Sequence, residues 1–478
     1  MANKNADRIK PLSLVWLRRD LRLYDHAALQ AALDAGGEVQ PVFIFDTDIL
    51  ARFDNPRDRR LSFIAHALCS IHAELRTKGG GLLVLHGRAA EIMPRLMAEI
   101  NAQRLFVAED FEPETIKRDE AVAARVPLTR VVDHLIHHPQ AVVKPDGSAY
   151  RVFTPYAKAW RAALTADSYD EKVVTLDGRL ADYGAVCAAM SAQCIDPSQG
   201  VEAMLRTVGY EAVPLDAWPV DGARQRLLDF MDMRLADYKE QRDFMAREGT
   251  SQLSPYLRFG LVSVRECARL AAQTPCKGSD SWLNELIWRE FYAMILYHYP
   301  EVVNMEFQPQ YRGLGWHKDD KLFEAFCMGR TGYPIVDAAM RQLLETGWMH
   351  NRARMVVASF MTKDLHLDWR LGEAHFAQYL MDYELASNNG GWQWAASVGT
   401  DAQPYFRIFN PQLQSERFDP SGDYIRRYVP ELRHLCDKAL HAPKQDLFGD
   451  AGYPAPIVEH QREKAVAIEM FKQVGRHD

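Results

Sequence analysis

Over the first 110 residues, apolar runs of strand length alternate with amphipathic segments of helix length, and this alternation constrains the chain more than any other feature. The runs are Ser13–Leu17, Val39–Phe45, Leu82–His86 and Arg104–Ala108. Between them the pattern predicts a helix capped at Asp25 and running through Ala35, closed by Gly36 and Gly37. A second helix is expected over Arg59–Thr77, stopped by Gly79, Gly80 and Gly81, and a third over Ala89–Ile100. Strands and helices at this spacing imply a parallel, doubly wound α/β sheet. The runs are apolar throughout, as a sheet covered by helices on both faces requires. No GxGxxG or GxxxxGK[ST] follows any run, which weighs against a dinucleotide or triphosphate site in this half. Ligands of such sheets lie beyond the strand carboxyl ends, so Asp46–Asp48 and Glu109–Glu112 form the expected rim.

At Pro139 the alternation stops. Residues 140–220 mix Gly, Pro and Asp with short helical pieces and read as a long connector. From Gly222 onward, Arg224–Tyr238, Val264–Ala272, Ser281–Tyr297, Lys321–Gly329, Ile335–Thr346, Asn351–Asp364 and Gly372–Leu380 carry apolar residues at helical spacing. Pro334 suits a first helical turn, and Gly347 suits a helix end. The expected division is therefore an α/β domain over 1–138, a connector over 139–220 and an all-α domain over 221–478. Residues 1–11 are polar and expected to fray.

A chain of 478 residues is too long for one core. Its net charge of −7 excludes whole-surface attraction to nucleic acid, so any such binding needs a local basic patch. Arg242, Arg258, Arg352, Arg407 and Arg417 would supply one if they converge. Seven cysteines with no CxxC fit reduced thiols. With no signal peptide and no apolar run of membrane length, a cytoplasmic protein without membrane contact is expected. No His or Cys grouping has zinc-ligand spacing and no Ser-His-Asp logic is visible, so no metal is expected.

Candidate chemistry concentrates in the helical half. Asp382–Arg407 holds a double Asn, a double Gly and two Trp separated by one Gln. Asn388 and Trp392, four apart, would stack on one helical face, and either a core or a cavity wall would explain them. Trp282, Glu285 and Arg289 share a face, with Trp288 at its edge and Tyr292 beyond. A Glu–Arg pair at this spacing is ordinarily solvated, but large aromatics beside it want cover. Asn351 and Met355 share another face, with Arg354 pointing elsewhere, toward Asp382. A helix cap with a core methionine and a wall for a flat uncharged ligand explain that pair equally well. Thr250, Ser251, Gln252, Leu253 and Ser254 place hydroxyls where a helix starts, which suits an anion or a routine cap.

The segments GTSQLSPYLRFG, WLNELIWREFY, TGYPIVDAAMRQLLETGWMHNRARM and NNGGWQWAASVGTDAQPYFRIFNP closely resemble class I DNA photolyases of the photolyase/cryptochrome family. LVWLRRDLRLYDHAAL resembles the start of that family's α/β domain, so the likeness spans nearly the whole chain. The resemblance implies FAD held in the helical domain and light-driven repair of cyclobutane pyrimidine dimers in single- or double-stranded DNA. It implies FAD contacts at Tyr238, Thr250, Ser251, Gln252, Leu253, Ser254, Trp282, Arg289, Arg354, Asp382, Tyr383, Glu384 and Asn388. Asn388 would face the flavin N5. A pocket for DNA and its lesion would use Glu285, Trp288, Arg289, Tyr292, Asn351, Arg352, Met355, Trp394, Arg407, Gln414 and Arg417. Glu285 and Asn351 would act on the dimer, and Trp392, Trp369 and Trp316 resemble the family's electron-supply series.

A (6-4) photolyase is the nearest alternative, but those enzymes carry His where Asn351 and Met355 stand. A cryptochrome-type blue-light receptor is the second, and the intact Glu285, Trp288, Asn351 and Met355 set favours the enzyme. The Asn-Glu pair of folate-antenna relatives is not matched at Glu114 and Thr115, while Asp110 and Glu112 resemble acids of other antenna sites. The antenna is expected to be methenyltetrahydrofolate first and a deazaflavin second, with a flavin or none also open. Glu384 departs from a relative's Asp, and its longer arm alters the flavin contact. A monomer without an obligate protein partner is expected.

Overall fold

The computed structural model describes residues 10–443 and 452–474, so the polar start expected to fray lies outside it through residue 9. Chain contacts divide the molecule into two compact units. The first takes residues up to His138 together with Leu164–Asp229 and Leu253–Gln273. The second takes Pro139–Ala163, Phe230–Gln252 and the chain from Thr274 onward. The grouping differs from plain cuts at 139 and 221, because the stretch read as a connector packs partly with each unit. It also holds regular structure, with helices at Phe153–Ala162, Tyr183–Ala189 and Val201–Thr207.

The first unit is built on a six-stranded sheet. Its strands are β1 (Leu12–Leu17), β2 (Glu38–Phe45), β3 (Leu83–His86), β4 (Arg104–Ala108), β5 (Leu128–Val131) and β6 (Cys194–Ile195). Their order is β5-β4-β1-β2-β3-β6. β1 pairs in parallel with β2 and β4, setting Trp16 opposite both Val42 and Val107. The expected parallel, doubly wound core is therefore present, and the chain reverses direction across the sheet beside β1. The two outer strands were not legible in the sequence. β5 is an edge strand with exposed Thr129 and Arg130, so it lacks an apolar run, and β6 is two residues pairing antiparallel to β3.

Asp25 does not cap the first helix. That helix is Ala27–Asp34, capped by His26, whose Nδ1 accepts from Leu29 N at 3.2 Å. Asp25 instead takes a positive φ of 42° and accepts from Arg265 Nε at 2.9 Å and Ser263 Oγ at 2.5 Å. Arg22 and Arg265 both bond Asp133, at 2.7 and 2.9 Å. These side chains are all buried, and a buried guanidinium without carboxylates is far costlier than a relocated cap.

The second unit is helical. Its long Lys277–His298 helix starts earlier than expected because Cys276 and Ser279 form a capping box. Pro334 opens Pro334–Thr346, and Gly347, at φ 70°, closes it in the left-handed conformation that glycine allows. Helices Asn351–Lys363, Trp369–Tyr379 and Leu385–Ala395 follow, and their inner faces build a core around Phe360, Met361, Trp369, Phe376 and Trp392. The helix expected over Arg224–Tyr238 ends at Met233. Arg234 N and Leu235 N both turn onto Phe230 O, and a separate turn begins at Tyr238. Among the described residues no helix is long and apolar enough to cross a membrane.

Candidate functional site

On the Lys277–His298 helix, Trp282 is buried against Phe230 at 5.0 Å, and Phe230 in turn meets Tyr238 edge-on at 5.8 Å. Glu285 and Arg289 do not pair with each other, as their spacing allowed. Glu285 bonds the Arg242 guanidinium. Burial pushes the Glu285 carboxyl above its ordinary range, against the downward pull of Arg242. Arg289 clamps Glu384 with two bonds, at 3.0 and 3.1 Å, so the longer arm noted at Glu384 reaches a guanidinium. Trp288 stacks face to face on Phe153, ring centroids 3.7 Å apart and planes 4° apart, with Tyr292 tilted beside it at 5.6 Å.

The Asn351–Lys363 helix is capped by His350, whose Nδ1 accepts from Arg352 N at 3.1 Å. Asn351 therefore does not cap it, and that option falls away. Asn351 is exposed and directs Nδ2 toward Met355 Sδ at 3.9 Å, which confirms the shared face. Arg354 grips Asp382 at 2.7 and 3.0 Å, as expected. Arg352 bonds Asp243 at 2.9 Å, next in the chain to the Arg242 that holds Glu285. The adjacent residues Arg242 and Asp243 thus tie the Glu285 helix to the Asn351 helix. Arg352 and Arg417 lie over the Phe418 ring, at 4.3 and 5.0 Å, so two of the scattered arginines do converge. Arg407 is exposed beside exposed Phe406, and Gln414 is half-buried with an Oε1 that has no partner among the described residues. Arg258 groups with the first unit.

Helix Leu385–Ala395 carries Asn388, Trp392 and Trp394. Asn388 Nδ2 donates to Glu373 Oε1 at 2.8 Å and to Glu373 O at 3.0 Å, and Tyr383 Oη reaches the same carboxylate at 3.4 Å. Burial raises the Glu373 carboxyl above its ordinary range. Trp392 is buried with Phe376 edge-on at 5.0 Å, and Trp394 is half-buried on the same core. Trp369 is fully buried and Trp316 half-buried.

In the 250–254 loop, Gln252 takes a positive φ of 52°, and Gly249 lies so close to Gln241 that an added Cβ would sit 2.5 Å from its carbonyl oxygen. Thr250, Ser251 and Gln252 group with the helical unit, whereas Leu253 and Ser254 group with the first. The helix that Ser254 opens runs only to Arg258.

Within the first unit, Asp110 accepts from Arg19 Nη1 at 3.2 Å, and Glu112 lies 3.6 Å from Arg19 and 3.7 Å from Arg258. Burial alone would raise the Asp110 carboxyl, but Arg19, His134, Arg18 and Arg258 hold it well below the usual carboxylate range. These acids follow β4 and meet arginines that follow β1, where the strand order reverses.

Sequence reasoning missed Glu373, Asp243, Phe153 and Glu306, the last of which bonds the Trp369 indole at 3.2 Å. None has a local signal. Each meets its partner only through tertiary packing.

Two family descriptions match the chain. Residues 282–473 match the family described as FAD binding domain of DNA photolyase, and residues 13–175 match the family described as DNA photolyase. A deoxyribodipyrimidine photo-lyase from Vibrio cholerae is 39% identical over 96% of this chain and 99% of its own length. The solved bacterial class III photolyase of Agrobacterium tumefaciens superposes with a TM-score of 0.84 at 33% identity, covering 99% of this chain and all of that one. An archaeal photolyase from Sulfolobus tokodaii, solved with two FAD molecules, superposes at 0.82 with 31% identity, covering 97% of this chain and 100% of its own. With this identity across nearly its full length, the chain belongs to the DNA photolyase family.

Proposed function

We propose that the protein uses light to split cyclobutane pyrimidine dimers in DNA, with FAD bound in the helical unit. The observation that carries this reading is the Arg242–Asp243 tie, which brings the Glu285 and Asn351 helices together. The donor set fits a flavin dinucleotide. Arg289 and Arg354 are each fixed by a carboxylate, Asn388 offers a neutral amide, and Thr250, Ser251 and Tyr238 bring hydroxyls suited to phosphate or ribityl oxygens. Trp282 and Gln252 complete the residues of this unit that would hold it, with Asp382, Tyr383 and Glu384 beside the ring system. Reduced FAD, when bound, supplies the electron that light drives into the dimer.

The chain's own residues bind and orient the lesion. A damaged, poorly stacked step is the cheapest to turn out of a helix. Trp288 and Trp394 offer stacking surfaces worth about 1–3 kcal/mol per base. Phe153 already covers one face of Trp288, so the base meets the other. Asn351 donates to a base carbonyl, and Glu285 does the same once protonated, which requires Arg242 to let go. Donors aimed at carbonyls that gain negative charge stabilise that charge. Met355 and Tyr292 provide apolar walls, while Arg352, Arg407, Gln414 and Arg417 hold flanking phosphates. An antenna near Asp110 and Glu112, a methenyltetrahydrofolate or a deazaflavin, would share carboxylates that Arg19 and Arg258 already engage. The protein acts as a monomer in the cytoplasm on single- or double-stranded DNA.

The test is irradiation of purified, fully reduced protein with an oligonucleotide holding one thymine dimer. Restored thymines in light and none in darkness are expected, together with FAD released on denaturation. An unrepaired dimer overturns the reading, and repair of a (6-4) product alone would change the substrate.

A further inference from the structure

The indole nitrogens of the three tryptophans assigned to electron supply meet different surroundings. Among the described residues, Nε1 of Trp316 and of Trp392 is buried without an acceptor, whereas Trp369 donates Nε1–H to Glu306 Oε1 at 3.2 Å. Trp369 is 0% exposed and Glu306 4%, so water screens this pair little. The other Glu306 oxygen holds Arg370 Nη2 at 2.9 Å, and that guanidinium lies over the Trp369 ring, 4.6 Å from its centroid. Arg370 also bonds Asp368 Oδ1 at 3.0 Å and Asn304 O at 2.9 Å. Two carboxylates against one guanidinium leave a net charge of −1 around the ring.

Chain neighbours of Trp369 also meet Trp392 and the residue after Trp316. Gly372, on the next turn of its helix, lies where an added Cβ would sit 2.1 Å from the Trp392 ring. His317, beside Trp316, donates its backbone N–H to His366 O at 2.8 Å, just ahead of Trp369.

We propose that Glu306 is a positioning residue for electron supply: it fixes the Trp369 indole and favours positive charge on that ring, while the indole keeps its proton. The inference rests on the light-driven, FAD-dependent reading above. Were Trp392 to give up one electron to the oxidised FAD that this unit would hold in light, Trp369 would pass one to Trp392 and become a radical cation as Trp392 returns to neutral. Trp316 then passes one electron to Trp369, and a thiolate in solution, its proton already lost to water, gives one electron to Trp316 and becomes a thiyl radical. No bond forms or breaks within the series, and no proton moves. A strongly basic acceptor would take the indole proton and strand a neutral radical. Burial alone would raise the Glu306 carboxyl, but Arg370 draws it below its ordinary range and so keeps it a weak base.

The experiment compares FAD-loaded parent, Glu306→Gln and Glu306→Asp, with the flavin oxidised, dithiothreitol present and no DNA. Under steady light, E306Q should reduce its flavin roughly three- to tenfold more slowly, because a charge-assisted hydrogen bond becomes a neutral one. E306D should recover much of the rate, which a purely structural role would not produce. In the dark, the indole spectrum of 15N-tryptophan-labelled holoprotein should show the Trp369 resonance displaced in E306Q, with Trp316 and Trp392 in place. Equal rates in parent and E306Q overturn the proposal, as does E306D no better than E306Q. A parent that cannot be photoreduced removes the whole series and this inference with it. Repair by chemically reduced parent reports separately on the repair reading.

Discussion

At Glu285, burial favours the protonated carboxyl while the Arg242 ion pair favours the charged one, and burial prevails. A carboxyl raised in this way binds its proton more readily in the fold than in the unfolded chain. Between its ordinary value and its raised one the fold therefore holds more protons, and the stability linked to this group falls as pH rises. In the proposed repair, the same proton makes Glu285 a hydrogen-bond donor to a base. Affinity for dimer-containing DNA should then weaken as pH rises through the raised value. Glu285→Gln, a permanent neutral donor, should flatten that dependence. Glu285→Ala should weaken binding by about 0.5–1.5 kcal/mol, the range for hydrogen bonds between neutral groups, with FAD still bound. Equilibrium binding of a dimer-containing strand across pH measures all of this, and loss of FAD from E285A would reassign the residue to scaffolding. Glu285 and Asn351 were legible because a helix face and a family motif mark them. Glu373, Glu306 and Asp243 were not, since they meet Asn388, Trp369 and Arg352 across 15, 63 and 109 residues of chain.

Among the elements, local rules explain most of what could be read. Apolar runs gave β1 to β4, and Pro334 and Gly347 marked a helix at both ends. Where two options were locally equal, packing decided between them. The Asn351 helix is the clearest case, because the cap is the preceding His350, which is 2% exposed. Burial lowers His350 from 6.5 to about 4, so it stays neutral with Nδ1 free to accept from Arg352 N. A lowered histidine stabilises the fold fully above 6.5 and progressively less as pH falls toward 4. The contribution lost is about 3 kcal/mol. His350→Asn keeps an accepting cap without that titration, so its unfolding free energy should vary less over the same window, as denaturant titrations at stepped pH would show. His375 is also lowered to about 4 by burial and should leave a residual slope. A glycine in the next helix gives a second case. Gly372→Ala gains about 1 kcal/mol of helix propensity, yet its Cβ would lie 2.1 Å from the buried Trp392 ring. Overpacking of that kind costs about 1–3 kcal/mol, so G372A should be no more stable than the parent, and usually less. Its displaced Trp392 should also slow flavin photoreduction. A more stable G372A with unchanged photoreduction would contradict the close packing.

For the whole molecule, a net charge of −7 means that DNA must be held by a few cations against an overall repulsion. Arg407 and Arg417 are exposed and have their charge available, whereas Arg352 is already bonded to Asp243. If all of them reach phosphates, the logarithm of affinity for a single strand should fall with the logarithm of salt at a slope of about −2, near −0.7 for each contact. A uniformly basic protein of this size would give a far steeper slope. Removing Arg407 or Arg417 should each reduce the slope by about 0.7 and weaken damaged and undamaged strands alike, because phosphate contacts carry no sequence information. Removing Arg352 should change it less, since Asp243 already offsets that charge. Arg352→Ala would also release one of the two bonds joining the Glu285 and Asn351 helices, so its larger effect should fall on the preference for damaged over undamaged DNA. Binding isotherms for both strands at several salt concentrations separate the two kinds of arginine. A slope change for R352A equal to that for R417A, with no loss of preference, would mean that Asp243 neither offsets the charge nor shapes the lesion pocket.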